Sequence, residues 1–271
     1  MNPTLRHNRL TRYAPTGASW LGARLLTATV AALLLPPPIR AQEEGKHEMN
    51  IVEPILTEET LPNEPRELSL RLTTDYRKQG SEVTAALPRL DIFYGLAERL
   101  GAELSVPLAF HQGDGTRAYG LGDVSLGLKY LVVEPQKNLP AVVFGLEAGF
   151  PTGDAERELG EGAYELTPFM ALLKDFGRFS LQGNFGWARQ VSGAREERWV
   201  YNWALAVPLC NHKVHLLTEL NGDWGRRPQT AVAPGIKYNF NGEVFIGVAV
   251  PIGLNRRTAD WGIVTQFQIG F

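Results

Sequence analysis

WGIVTQFQIGF, residues 261–271, alternates with a period of two, setting Trp261, Ile263, Phe267, Ile269 and Phe271 on one face. A helix would bring apolar residues together three and four apart, so the segment is a strand. The same alternation runs backward through the chain. Leu68, Leu70 and Leu72 oppose Ser69, Arg71, Thr73 and Asp75; Leu90, Ile92, Tyr94 and Leu96 oppose Arg89, Asp91, Phe93 and Gly95. Leu100, Ala102, Leu104, Val106, Leu108 and Phe110 form a third apolar row, and Val124, Leu126, Leu128 and Tyr130 a fourth. Further segments of this kind occupy residues 141–150, 164–173, 179–189, 199–209, 214–223, 230–240 and 244–252. About twelve strands of roughly ten residues result, the length a tilted strand needs to cross a bilayer.

The connections give a second signal. Short ones at 97–99, 134–140, 174–177, 211–213 and 241–242 alternate with longer polar ones at 78–86, 111–120, 151–163, 190–197, 224–229 and 255–260. Outer-membrane barrels alternate short periplasmic turns with longer extracellular loops in this way. Tyr76, Tyr94, Tyr130, Tyr164, Trp187, Trp199, Tyr201, Trp203, Tyr238 and Trp261 share the apolar parity, many near strand ends, as aromatic girdles require. A soluble β-sandwich also alternates, but demands neither feature. The expected fold is all-β: a transmembrane, antiparallel, up-and-down barrel over residues 66–271.

Arg6, Arg9, Arg12 and Arg24 precede the apolar run LLTATVAALLL at residues 25–35, too short to span a bilayer as a helix. Residues 1–41 therefore read as a signal peptide, with cleavage expected after Ala41. Residues 42–65 are acidic and interrupted by proline, and are expected to form a periplasmic extension, with a plug inside the lumen as the alternative. The lone Cys210 permits no internal disulfide and reads as a free thiol in a turn. A net charge of -2, a pI near 6.2 and a mean hydropathy of -0.15 give no basic surface for nucleic acid.

The lipid-facing parity carries almost no charge, because Lys or Arg at mid-bilayer costs a few kcal/mol. The other parity collects Arg71, Asp75, Arg89, Asp91, Glu103, Asp123, Lys129, Glu147, Glu165, His215, Glu219, Asp223 and Lys237 as lumen-lining candidates. Carboxylates outnumber bases among them, which suits neutral or cationic solutes; satisfied ion pairs bracing a narrow lumen are the plainer reading. No catalytic, cofactor or metal set is legible. His212 and His215 read as a solvated turn pair, the GLGDVS run enters a strand where a dinucleotide loop needs a helix, and Ser125 lacks a nucleophile elbow.

GLGDVSLGLKYLV at residues 120–132 and GFPTGD at 149–154 resemble the outer-membrane channel family named for the meta pathway of phenol degradation. In that family a Gly-Asp pair opens a strand ending near Lys-Tyr, and a following strand ends in Pro-Thr-Gly. The resemblance implies a barrel admitting small, hydrophobic or aromatic molecules, without catalytic residues or cofactor. Gly122 permits a tight loop exit or bulge, while Asp123 either caps loop amides or faces the lumen. The terminal Phe271 is similar to the signal read by the barrel-assembly machinery, so that machinery, outer-membrane lipids and a small solute are the expected partners. A non-conducting structural barrel and a lipid-acting barrel enzyme stand as alternatives.

Overall fold

The computed structural model describes residues 54–271, except Glu58, Asp114 and Ala194. The expected signal peptide and residues 42–53 lie outside the described part. Twelve antiparallel strands form one closed sheet: β1 Leu68–Gln79, β2 Glu82–Ala97, β3 Leu100–Gly113, β4 Thr116–Leu121 continued by Val124–Val133, β5 Ala141–Phe150 and β6 Glu165–Asp175. The ring continues through β7 Ser180–Gln190, β8 Glu197–Leu209, β9 Val214–Gly225, β10 Gln229–Asn239, β11 Val244–Ala249 continued by Ile252–Gly253, and β12 Trp261–Gly270. Each strand pairs with the next in sequence. Closure comes from β1 against β12, in register from Ser69 opposite Gly270 to Lys78 opposite Trp261. At the seam Phe271 donates its N–H to the Leu68 carbonyl at 2.8 Å and accepts the Leu68 N–H at 3.3 Å. Among the described residues every strand of the ring is paired on both sides, as lipid surroundings require; the stretch Thr116–Leu121 alone pairs only with β3.

Period-two alternation decides which face each side chain takes. Leu72, Phe144, Leu216, Ile236, Ile246, Ile263 and Phe267 stand exposed on the outside, forming an apolar belt. Aromatic pairs edge that belt. Tyr76 with Trp261, Trp187 with Trp199 and Tyr201 with Trp224 lie toward the loop end, and Tyr238 with Phe240 toward the turn end. Rings with one polar edge favour the headgroup level, so the two rims mark the bilayer boundaries. No described helix is long and apolar enough to cross a membrane; the strands do so.

Two expectations about the connections need correction. Residues 78–86 and 111–120 are mostly strand, because the period-two alternation carries on through EVTAAL and TRAYGL. β2 starts at Glu82, beyond a turn in which Gly80 has φ +54°, and β4 starts at Thr116, after Gly115 at φ +78°. Such left-handed turn positions suit glycine, and they let a tight hairpin replace a loop. The alternation of short and long connections is consequently uneven: residues 134–140 make a sizeable turn at the short end, and residues 151–164 the longest connection among the described residues at the other. Two strands are also broken, β4 at Gly122-Asp123 and β11 at Val250-Pro251.

The expected periplasmic extension does not describe the chain from Pro54 onward. Pro54, Ile55, Thr57, Glu59 and Thr60 are buried inside the barrel, and the segment leaves past Gly95 at the turn end. A side chain at Gly95 would overlap the Glu64 carbonyl, and one at Gly247 would meet Ile55 Cδ1 at 2.9 Å. Glycine on the inner wall thus makes room for a second stretch of chain.

Candidate functional site: the lumen and its two closures

The inward parity places Arg71, Asp75, Asp91, Glu103, Asp123, Lys129, Glu147, Glu165, His215, Glu219, Asp223 and Lys237 in the barrel interior, all buried; Arg89 is partly buried. They do not converge on one constellation. Several are drawn into local pairings, which offset the cost of burying charge. Arg89 bridges Asp91, which also accepts from the Ser105 hydroxyl at 2.6 Å. Arg77 forks onto Asp75, with Nη2 to Oδ2 at 2.9 Å. Arg198 clasps Glu165 through two bonds of 2.6 and 2.8 Å, with Asp223 in electrostatic reach of the same guanidinium. Glu103 and Glu147 flank Gly127, and Lys237 faces the Phe245 ring at 5.0 Å. His215, read from sequence both as a lumen-facing candidate and as one of a solvated turn pair, is buried on the inward face opposite Lys237, 6.3 Å from the His212 ring.

Residues 54–62 are held from the wall. The Glu219 carboxylate on β9 accepts three successive backbone N–H groups: Ile55 at 2.8 Å, Leu56 at 3.0 and 3.1 Å, and Thr57 at 2.5 Å. Consecutive amides aimed at one carboxylate form the concave anion cradle of a nest. Glu59 takes Arg71 and the Gln268 amide on its carboxylate, and its carbonyl takes Lys129 Nζ at 3.1 Å. Arg71 and Lys129 also face the buried Phe93 ring, at 4.3 and 5.4 Å from its centroid. Three register partners, Asn184, Asn202 and Asn221, form an amide ladder across β7, β8 and β9 that reaches Thr57 at 3.3 Å. The segment's apolar side chains cover apolar wall. Ile55 and Leu56 pack on Ala206, Leu217, Ala233, Ala249 and Val264, while Leu61 packs on a second patch around Val143, Phe169 and Leu173.

The loop at residues 151–164 closes the opposite end. Asp123, in the break of β4, accepts the N–H of Gly153 at 2.9 Å and of Glu161 at 2.6 Å. The capped amides belong to the loop after β5, across the strand pair from the loop that precedes Asp123. Thr152 donates its hydroxyl to the Gly122 carbonyl at 2.7 Å and accepts the Val124 N–H at 2.9 Å. Asp154 caps a 3-10 turn, Ala155–Arg157, and Leu159 is buried behind it at 3% exposure. The two quoted motifs therefore meet: GLGD supplies the anchor and PTGD the loop that it holds.

Sequence reading missed several lumen residues. Arg77 and Arg198 lie on the inward parity, two residues from positions that were chosen or are plainly buried, so parity could have found them. Gln182, Gln266 and Gln268 are also buried, but without charge they do not stand out from the sequence.

A closed barrel, apolar outside and polar within, with its inner wall partly covered by its own chain, defines a barrel of the outer-membrane channel type. The chain belongs to the family described as "Putative MetA-pathway of phenol degradation", whose model matches residues 81–270. Among solved structures it is similar to an outer membrane channel from Pseudomonas putida F1, at TM-score 0.62 and 14% identity, covering 82% of this chain and 100% of that one. It is also similar to the KdgM porin (TM-score 0.51, 13% identity, 75% and 99% covered) and the NanC porin (0.53, 10%, 74% and 98%). At these identities the likeness concerns the fold. No curated protein matches.

Proposed function

We propose that the protein is a passive outer-membrane channel for small solutes, with hydrophobic or aromatic molecules the favoured class. The observation that carries this reading is the closed wall itself, apolar toward lipid and lined inside by charge pairs, amides and small apolar patches. Diffusion along such a lumen needs no cofactor or energy source, and selectivity follows from width and wall charge. The two apolar patches now under Ile55, Leu56 and Leu61 offer surface for an apolar solute, in line with the phenol-degradation name of the family. Residues 54–62 stand in that path, so passage requires the segment to shift.

A second reading, a non-conducting barrel with a permanently filled lumen, is favoured by the cradle at Glu219. Swelling of liposomes that carry the chain from residue 42 separates the two. Slow swelling with small neutral solutes, faster once residues 42–62 are removed, is expected. A folded barrel that admits no solute with or without the segment would overturn the channel reading.

A further inference from the structure

At the loop end Glu82 at the start of β2, His111 near the end of β3 and Glu158 of the mouth loop come together. One ligand atom from each lies within 4.8 Å of the others. His111 is 3% exposed and its Nδ1 has no hydrogen-bond partner. That nitrogen is 3.9 Å from Glu82 Oε1, and Nε2 is 3.5 Å from Glu158 Oε2. Both separations are too long for a good hydrogen bond. A buried, unsatisfied imidazole nitrogen costs about 1–3 kcal/mol, so a group that fills the gap is favoured.

The donor set suits one kind of occupant. An imidazole with two carboxylates binds divalent transition ions, zinc above all, at about 2.0–2.2 Å. The carboxylates are 25% and 32% exposed, so the cluster opens to solvent. The backbone is arranged around the imidazole. Glu158 has φ +59°, a left-handed conformation uncommon outside glycine, and it ends the 3-10 turn capped by Asp154 beside His111. A Cβ at Gly113 would stand 3.0 Å from His111 Nε2 and 3.3 Å from Cε1, so glycine leaves room for the imidazole ring.

We propose that Glu82, His111 and Glu158 form a divalent transition-metal site, of the zinc type, inside the mouth of the barrel. Glu82 and His111 belong to the wall and Glu158 to the loop, so a bound ion ties the loop to the β2–β3 hairpin. The site adds a third fastening to those at Asp123 and Thr152. It stands whether or not the barrel conducts.

Zinc chloride titrated calorimetrically into the folded, detergent-solubilised chain from residue 42 tests it, with folding checked by heat-modifiable gel migration. A single saturable site is expected in the unmodified chain. It should weaken by about tenfold or more in H111A and in E158Q, the latter a change on an exposed loop that leaves the wall intact. The H212A/H215A variant, which removes the other described histidine pair, should titrate like the unmodified chain. No saturable binding in the unmodified chain would overturn the proposal and leave His111 as an ion-pair partner of the two carboxylates. So would unchanged binding in both H111A and E158Q.

Discussion

Residues 54–62 and the loop at 151–164 both enter the barrel, but they are fastened in opposite ways. The inner segment offers its backbone amides to a wall carboxylate far away in sequence: Glu219 is 164 residues from Ile55. The mouth loop offers its amides to Asp123, only 30 residues from Gly153 and one strand away. In each case a buried carboxylate gathers consecutive or nearby N–H groups. The inner segment additionally places Ile55, Leu56 and Leu61 on apolar wall, whereas the loop buries chiefly Leu159. The first is a long-range contact, from one part of the chain to a wall position far away in sequence. The second stays within the connection that joins neighbouring strands β4 and β5.

Breaking one closure should leave the other in place. Glu219→Ala removes the acceptor of three amides, and the segment should lose about 3 kcal/mol of docking, roughly a hundredfold in its bound population. Limited proteolysis of the folded variant should cut near residues 54–62 while the mouth loop stays protected. Asp123→Ala takes away the acceptor of two amides rather than three, a loss of about 1–2 kcal/mol. Here proteolysis should move to residues 151–164, with the inner segment still docked. The two acceptors share no partner, so the double variant should equal the sum of the single changes within about 0.5 kcal/mol; a larger coupling would mean that the closures move together.

The same contrast governs what was legible in the sequence. The barrel wall was readable because its physics is periodic: lipid outside and charge inside repeat every second residue, and Arg71, Asp91, Glu165 and Lys237 fell on the correct face from parity alone. The mouth clamp was half readable. GLGD and PTGD stood out, and a capping role for Asp123 followed from its type, but which loop it caps depends on the neighbouring strand. The lumenal course of residues 54–62 is barely legible, since the acidic, proline-broken run gives no local sign that Glu219 waits across the lumen. Nor could sequence show His111 facing Glu158, because the stretch around His111 reads as a polar loop until β3 and β4 are seen to extend through it. Features set by periodicity survive in one dimension, and features set by a carboxylate meeting distant amides do not.

Single-channel recording in planar bilayers tests the central claim most directly. The chain from residue 42 and the chain lacking residues 42–62 would be compared in symmetric salt, each first shown to be folded. The lumen described above predicts a small or intermittent conductance for the longer chain and a larger, steady open level for the shorter one. Identical conductance in the two, or silence in both, would contradict a channel closed by its own inner segment.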